Sequence, residues 1–339
     1  MRRLAYLLAV LLCASASGTP PARSAQTKRA APPQRVRLEP RFAPGSVLRY
    51  EMEFRTTTEG HRSGLVEDPQ APSKLELTWA AVVRLEVLGI EPSSPAAGAA
   101  ERTRLRTTYE KSTATARSDT YDPESAAIEE QYRKLEGRTM EFLVDAEARV
   151  SEVNGPKEVP PDEQAASAAR EWLGQLVMGG SIPREGILPG QKWTSEQPAA
   201  VGPIAGLIWR TESSYLRDER CRPLEGLGPS GPADPLASEV CAVILTRYEV
   251  TQPRALRDPT PEEYRKRGLR TSGKRGGWGE SLSYVSRRSG WVVSITQSAS
   301  EEMDVTVSTA DGESGVRYVG RVRSQSQITL LPVPTAAIR

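Results

Sequence analysis

A single histidine, His61, serves the whole 339-residue chain. A Ser-His-Asp hydrolase would have to use it, yet the sequence has no G-x-S-x-G elbow, and His61 sits in a Gly/Ser-rich stretch read as a solvated loop. Zinc sites need clustered His and Cys, and one histidine with two cysteines outside the N-terminal segment does not supply them. No D-x-D-x-D-G calcium loop and no Walker motif occur. Gly277-Trp278-Gly279 has two glycines of a dinucleotide fingerprint, lacks the third, and opens a strand rather than a helix. No cofactor and no metal are therefore expected. Carboxylates are the remaining route to catalysis. Glycosidase acid pairs obey no spacing rule in sequence, so among the 43 acids of the chain no pair can be singled out.

Three other groups of residues carry chemistry. Cys221 and Cys241 flank a stretch rich in Gly and Pro, and an even count in an exported chain points to a disulfide. Residues 252–277 hold eight Lys and Arg against three acids, with Arg265, Lys266, Arg267 and Arg270 close together. This segment reads as a basic loop, either solvated or facing an anionic surface. The third group is an apolar stripe of helical period, Ala165, Ala166, Ala169, Trp172, Leu173, Leu176 and Val177, stopped by Gly179-Gly180. Such a stripe packs on a sheet as core, or lines an apolar pocket.

The N-terminus sets the compartment. Arg2 and Arg3 precede an apolar run from Leu4 to Cys13, about half the length a membrane-spanning helix needs. Ala14-Ser15-Ala16 offers a signal-peptidase site, and Leu12 before Cys13 does not suit lipidation. Residues 1–16 are predicted to be a cleaved signal peptide, placing the mature chain in the periplasm or outside the cell. The full chain carries 45 Lys and Arg against 43 acids; the signal removes two arginines, leaving 43 against 43. That balance argues against nucleic acid as a partner, because polyanion affinity rests on accumulated positive charge. No later segment has the eighteen or so apolar residues of a membrane span.

Residues 17–40 are Pro-, Ala- and Arg-rich and read as a disordered tether. A single β-rich domain is expected over 41–332, with a flexible tail at 333–339. Within the domain, Leu48, Tyr50, Met52 and Phe54 alternate with charged residues. The odd-numbered apolar positions from Leu75 through Trp79 to Val87 do the same, as do Leu105, Thr107 and Tyr109. Asp122-Pro123-Glu124 starts a first helix that Gly137 closes. Strands then return at Met140–Val144 and Val150–Val153. After the second helix come strands at Leu207–Arg220 and Glu239–Val250, then C-terminal hairpins. These are Gly279–Arg287, Trp291–Ser298, Glu302–Ser308 and Gly315–Leu330. The expectation is an α+β chain, mainly antiparallel, forming a curved open sheet or half-barrel of about ten strands with two covering helices.

This order of elements resembles uncharacterised families of secreted bacterial proteins whose architecture is similar to the lipoprotein-carrier half-barrel. The likeness covers roughly 41–332. It rests on the hairpin Phe142–Gly155, the amphipathic helix after it, the Leu188-Pro189-Gly190-Gln191-Lys192-Trp193 turn and the C-terminal hairpins. The resemblance implies an acyl chain held between the sheet and its covering helices. A curved sheet must cover its apolar face in any case. Trp172, Leu173 and Leu176 are therefore expected opposite Tyr50, Met52, Phe54 and Trp79, as ligand wall or as core. Three functions follow. The first is a non-enzymatic envelope protein binding a lipid-like ligand there. The second is a structural or protein-interaction domain with a filled core. The third is a carboxylate-based hydrolase.

Overall fold

The computed structural model describes residues 35–64, 73–91, 102–119, 123–145, 150–154, 172–178, 182–183, 185–198, 202–221, 239–252 and 257–332. The expected signal peptide, most of the tether, the first part of the second helix and the tail lie outside the described residues. Strands β1 (Val47–Gly64), β2 (Ser73–Glu91) and β3 (Arg102–Ser118) run first, followed by helix α1 (Pro123–Arg133) and the short strands β4 (Thr139–Val144) and β5 (Val150–Asn154). Helix α2 covers 172–176. The second half comprises β6 (Lys192–Pro198), β7 (Ile208–Arg220), β8 (Val240–Thr251), helix α3 (Glu262–Lys266), β9 (Leu269–Ser286), β10 (Val292–Thr309) and β11 (Gly315–Leu331).

All of these strands form one antiparallel sheet of eleven, in the order β5-β4-β3-β2-β1-β11-β10-β9-β8-β7-β6. The chain meanders from β1 to one edge, resumes at the other, and meanders back until β11 pairs with β1 from Arg49↔Leu331 to Gly64↔Val316. β5 and β6 are the two ends of this order, so the sheet is open. The mainly antiparallel, open architecture expected from the sequence is thus present, with β6 added to the strands that alternation revealed.

One face of the sheet is apolar near its middle because alternate side chains point there. Tyr50 and Met52, Trp79, Ala81, Val83, Leu85 and Val87, and Leu105 and Tyr109 are buried in one cluster with Ile295 and Ile328. The Tyr50 hydroxyl donates to Val292 O at 3.0 Å; burial pushes its pKa well above the usual phenol range. β4 covers only Thr103–Thr108 of β3. The rest of that strand would be a bare edge, and α1 caps it. Glu129 accepts from the Ala116 amide at 2.7 Å and Glu136 from that of Ser112 at 3.3 Å, while Ser112 Oγ donates to Tyr132 O at 2.6 Å.

Several elements depart from expectation, each for the same reason. His61 lies in β1, not in a loop: β1 runs on to Gly64, pairing His61 with Val319 on one side and Gly60 with Ser73 on the other. The segment 252–277 is not one basic loop. It holds α3 and the first part of β9, which pairs with β10 from Thr309↔Leu269 onward. The predicted strands Trp291–Ser298 and Glu302–Ser308 are one strand, β10. In all three places both faces are polar, so no period of two appears even though the backbone is fully paired. Gly60 and Gly320 pair directly within this region. A Cβ on Gly60 would stand 2.9 Å from Val319 O and one on Gly320 3.0 Å from Glu59 O, so no larger residue fits without the strands parting. At the N-terminal side, the domain includes residues ahead of Arg41. Val36 forms a bridge with Ile187, and Val36 and Leu38 are buried in the core, so 35–40 belong to the domain rather than to a tether.

Glu141 on β4 accepts from Arg104 Nε at 2.9 Å and from Arg106 Nε at 3.0 Å, clamping β4 to β3. These two guanidinium groups, Arg106 first, hold its carboxyl below the usual range. A depressed native pKa stabilises the fold above the unfolded value and ceases to do so as pH falls through the native one. Glu141→Gln is therefore expected to cost about 0.5–1 kcal/mol at pH 7, the scale of half-exposed ion pairs. The gap from wild type should close as the pH drops from about 4 toward 2. Urea titrations at pH 7 and pH 3 check this; a gap that widens in acid contradicts it.

Candidate functional site

The residues expected on the two sides of the sheet–helix interface share one buried cluster, and Trp172 reaches the sheet through Tyr109. The Trp172 and Tyr109 rings stand 6.1 Å apart at 75°, Tyr109 and Trp79 6.2 Å apart, and Trp79 and Tyr132 5.4 Å apart. Trp79 Nε1 donates to Ser112 Oγ at 3.0 Å, which satisfies the indole in an apolar setting. Tyr50, Met52, Trp172, Leu173 and Leu176 belong to the same buried cluster, with Phe54 packed against it. Leu173 and Leu176 have no accessible surface and Trp172 has 8%. A side chain with no accessible surface has no water-sized void beside it. Leu173 and Leu176 are thus enclosed by protein in the manner of core side chains.

The basic residues do not converge. Arg265 and Lys266 lie in the last turn of α3, Arg267 is its C-cap and Arg270 lies on β9; all four are exposed. Arg265 pairs with Glu262 at 3.2 Å, and the helix carries Glu262 and Glu263 in its first turn, so its charges complement its own dipole. Cys221 and Cys241 are joined by a disulfide at the β7–β8 end of the sheet, both fully buried beside Val293. Among the described residues there is no group of three or more His, Cys, Asp or Glu able to hold a metal ion. No helix among them is long and apolar enough to cross a membrane.

The open concavities lie on the opposite face of the sheet. Side chains alternate, so Glu59 and His61 on β1 point away from the face that Tyr50 and Met52 bury. Backbone pairing lines up cross-strand rows on that outward face: His61, Val319, Asp304 and Lys274; Glu59, Arg321, Glu302 and Gly276; and Ser300, Trp278 and Glu249. These rows form the floor of a trough of about 1200 Å³. A second hollow of about 670 Å³ continues it along the same strands through Arg55, Gln325 and Ser298, and through Glu53, Gln327, Thr296, Leu282 and Leu245. Glu280 lines both.

Trp278 stands out in this trough. It is 60% exposed, the highest value among the exposed large apolar residues described, although β9 is paired on both sides at that point. A strand residue with neighbours on both sides has its backbone fixed, so the indole is presented rather than left loose. Residues around it in the trough supply both signs of charge. Glu302 pairs with Arg321, Glu280 with Arg247 at 3.8 Å, and Asp304 accepts from Arg317 Nε at 2.8 Å. The Arg317 contact holds the Asp304 carboxyl below its usual range. On the other face, Tyr248 lies across Gly279, where a Cβ would come within 2.3 Å of Tyr248 Cζ. Tyr248 also accepts a hydrogen bond from Gln297 Nε2 at 3.1 Å, and its ring lies 5.0 Å from that of Trp209, tilted by 57°. This packing supports the stretch of β9 that carries Trp278. Composition did not point to the trough; its one legible trace is Trp278 itself, an aromatic residue set between glycines and out of phase with buried Ser283 and Val285.

No family model matches the chain, and no curated protein matches it. Solved structures align over most of its length at low superposition scores. DynF from the dynemicin biosynthesis pathway of Micromonospora chersina is 6% identical with a TM-score of 0.18, covering 88% of this chain and 85% of its own. The outer membrane protein OprG from Pseudomonas aeruginosa is 8% identical with a TM-score of 0.16, covering 86% and 97%. An outer membrane channel from Pseudomonas putida is 9% identical with a TM-score of 0.18, again covering 86% and 97%. At these scores nothing transfers from those proteins to this one.

Proposed function

We propose that this chain is an exported, non-enzymatic binding domain of the cell envelope. Its sheet–helix interior is structural, and its recognition surface is the outward trough around Trp278. Export is supported by Arg2-Arg3, the short apolar run and Ala14-Ser15-Ala16, and by a disulfide that suits an oxidising compartment. The observation that carries the binding site is the exposure of Trp278 in the middle of a doubly paired strand. A large apolar ring left in water above a concave floor is the commonest anchor of a recognition surface. An acyl ligand beneath α2, by contrast, would have to displace Leu173 and Leu176 from a close-packed core.

Indole-resolved NMR tests this reading on the mature protein, whose six tryptophans report separately on core and trough. Titration with the water-soluble pool of an envelope extract is expected to move the Trp278 indole signal and leave Trp172 and Trp79 in place. Titration with dodecanoate is expected to move none of the three. A dodecanoate response at Trp172 and Trp79 would overturn the proposal in favour of a carrier.

A further inference from the structure

We infer that the ligand of the outward trough is an oligosaccharide; this rests on the reading above that the trough is the binding surface. The argument is one of matching hydrogen-bond capacity. A lipid tail needs an apolar chamber, and this trough is open and floored with polar groups. An organic cation needs acceptors and an anion needs donors, whereas the trough offers both in neighbouring rows. Glu302 and Glu280 accept, Arg321 and Arg247 donate, and Gln325 and Ser298 do either. The charged groups are largely paired with one another, Arg321 with Glu302 and Arg247 with Glu280, so the trough has little uncompensated charge to attract an ion. Glu249, which stands in the same row as Trp278, and Glu59, Lys274, Glu53 and Arg55 have no ion pair among the described residues, but they carry both signs, so neither sign accumulates.

A chain of hydroxyl-bearing rings has the complementary surface. Each hydroxyl donates and accepts, planar carboxylate, guanidinium and amide groups can bridge two of them, and the weakly polar C–H face of the ring lies on an exposed indole. Length fits as well. From Glu53 to His61 the outward rows extend over eight residues of β1, about 26 Å at about 3.3 Å per residue. That is room for several linked sugars in extended form, lying along the strands with Trp278 under one of them.

The test is calorimetric titration of the mature protein against a panel of neutral and amino-sugar oligosaccharides, with hexalysine, a hexaglutamate peptide and dodecanoate as the other arms. At least one oligosaccharide is expected to bind saturably, and Trp278→Ala is expected to weaken it by about tenfold or more, the scale of losing a central aromatic anchor. Leu216→Ala, an exposed apolar residue on β7 outside the trough, is expected to bind as wild type does. Raising salt from 0.05 to 0.5 M should change the affinity less than threefold, because paired charges and stacking are weakly screened. If no oligosaccharide binds while hexalysine or hexaglutamate binds in a Trp278-dependent way, the saccharide assignment falls and the trough reading stands. If no arm depends on Trp278, both fall. Circular dichroism of Trp278→Ala separates lost binding from lost fold.

Discussion

Trp172→Ala is expected to destabilise the protein by about 3–5 kcal/mol, the scale of deleting a large aromatic side chain from a close-packed core. The ring is 8% exposed, lies edge-on to Tyr109, and sits beside Leu173 and Leu176, which have no accessible surface. Trp172, Leu173 and Leu176 carry the packing of α2 against the core among the described residues, and helices in proteins owe most of their stability to such packing. Losing its largest anchor therefore removes both the buried surface and much of the reason for the helix to stay docked. Urea unfolding of wild type and variant gives the difference directly, and at this chain length the melting temperature should fall by roughly 5–8 °C. Dodecanoate titrated into both proteins completes the measurement, with no saturable binding expected in either. A variant of unchanged stability that has lost an acyl ligand would show that the space under α2 is a pocket, and the proposed division between structural interior and outward site would be wrong.

Replacing both Cys221 and Cys241 by alanine is expected to cost about 3 kcal/mol. The disulfide spans a sequence separation of 20 and joins the end of β7 to β8, and a closed loop of that length removes about this much freedom from the unfolded chain on the loop-entropy account. Both sulfurs are fully buried beside Val293, and the Cys221 amide donates to Glu239 O at 2.9 Å, so the bridge continues a backbone pairing already in place. Wild type under reducing conditions should unfold at a lower urea concentration, whereas the double variant should be indifferent to reductant. Alkylation of both cysteines in native, unreduced protein would contradict the pairing. Arg247 and Glu249, the β8 residues that line the trough around Trp278, lie toward the other end of that strand from Cys241, so neither change is expected to alter Trp278-dependent binding.

The amino-acid sequence by itself determined those elements in which one face is buried and the other wet. Tyr50 and Met52 on β1, the odd positions from Trp79 to Val87 on β2, and Leu105 to Tyr109 on β3 write their burial into a period of two. Trp172, Leu173 and Leu176 write theirs into a helical stripe. The Cys221–Cys241 pairing was legible too, because two cysteines around a Gly/Pro-rich segment have only each other once Cys13 is assigned to the expected signal peptide. Tertiary structure decided the rest. β1 continues through His61 to Gly64, β9 begins at Leu269, and β10 runs unbroken because their backbones find partners on both sides, and hydrogen bonding between strands leaves no trace in side-chain periodicity when both faces are polar. Whether α2 covers a pocket or a core was open in the sequence, since the same apolar stripe serves either; packing alone distinguishes them. The trough was wholly a product of assembly. Glu59, Arg321, Glu302 and Trp278 come from four strands spread across the chain, and only the closing of β11 onto β1 and the registers of β8 to β11 bring them to one surface. Side-chain alternation set which way each residue points, but the identity of its neighbours depended on long-range pairing that no local pattern encodes.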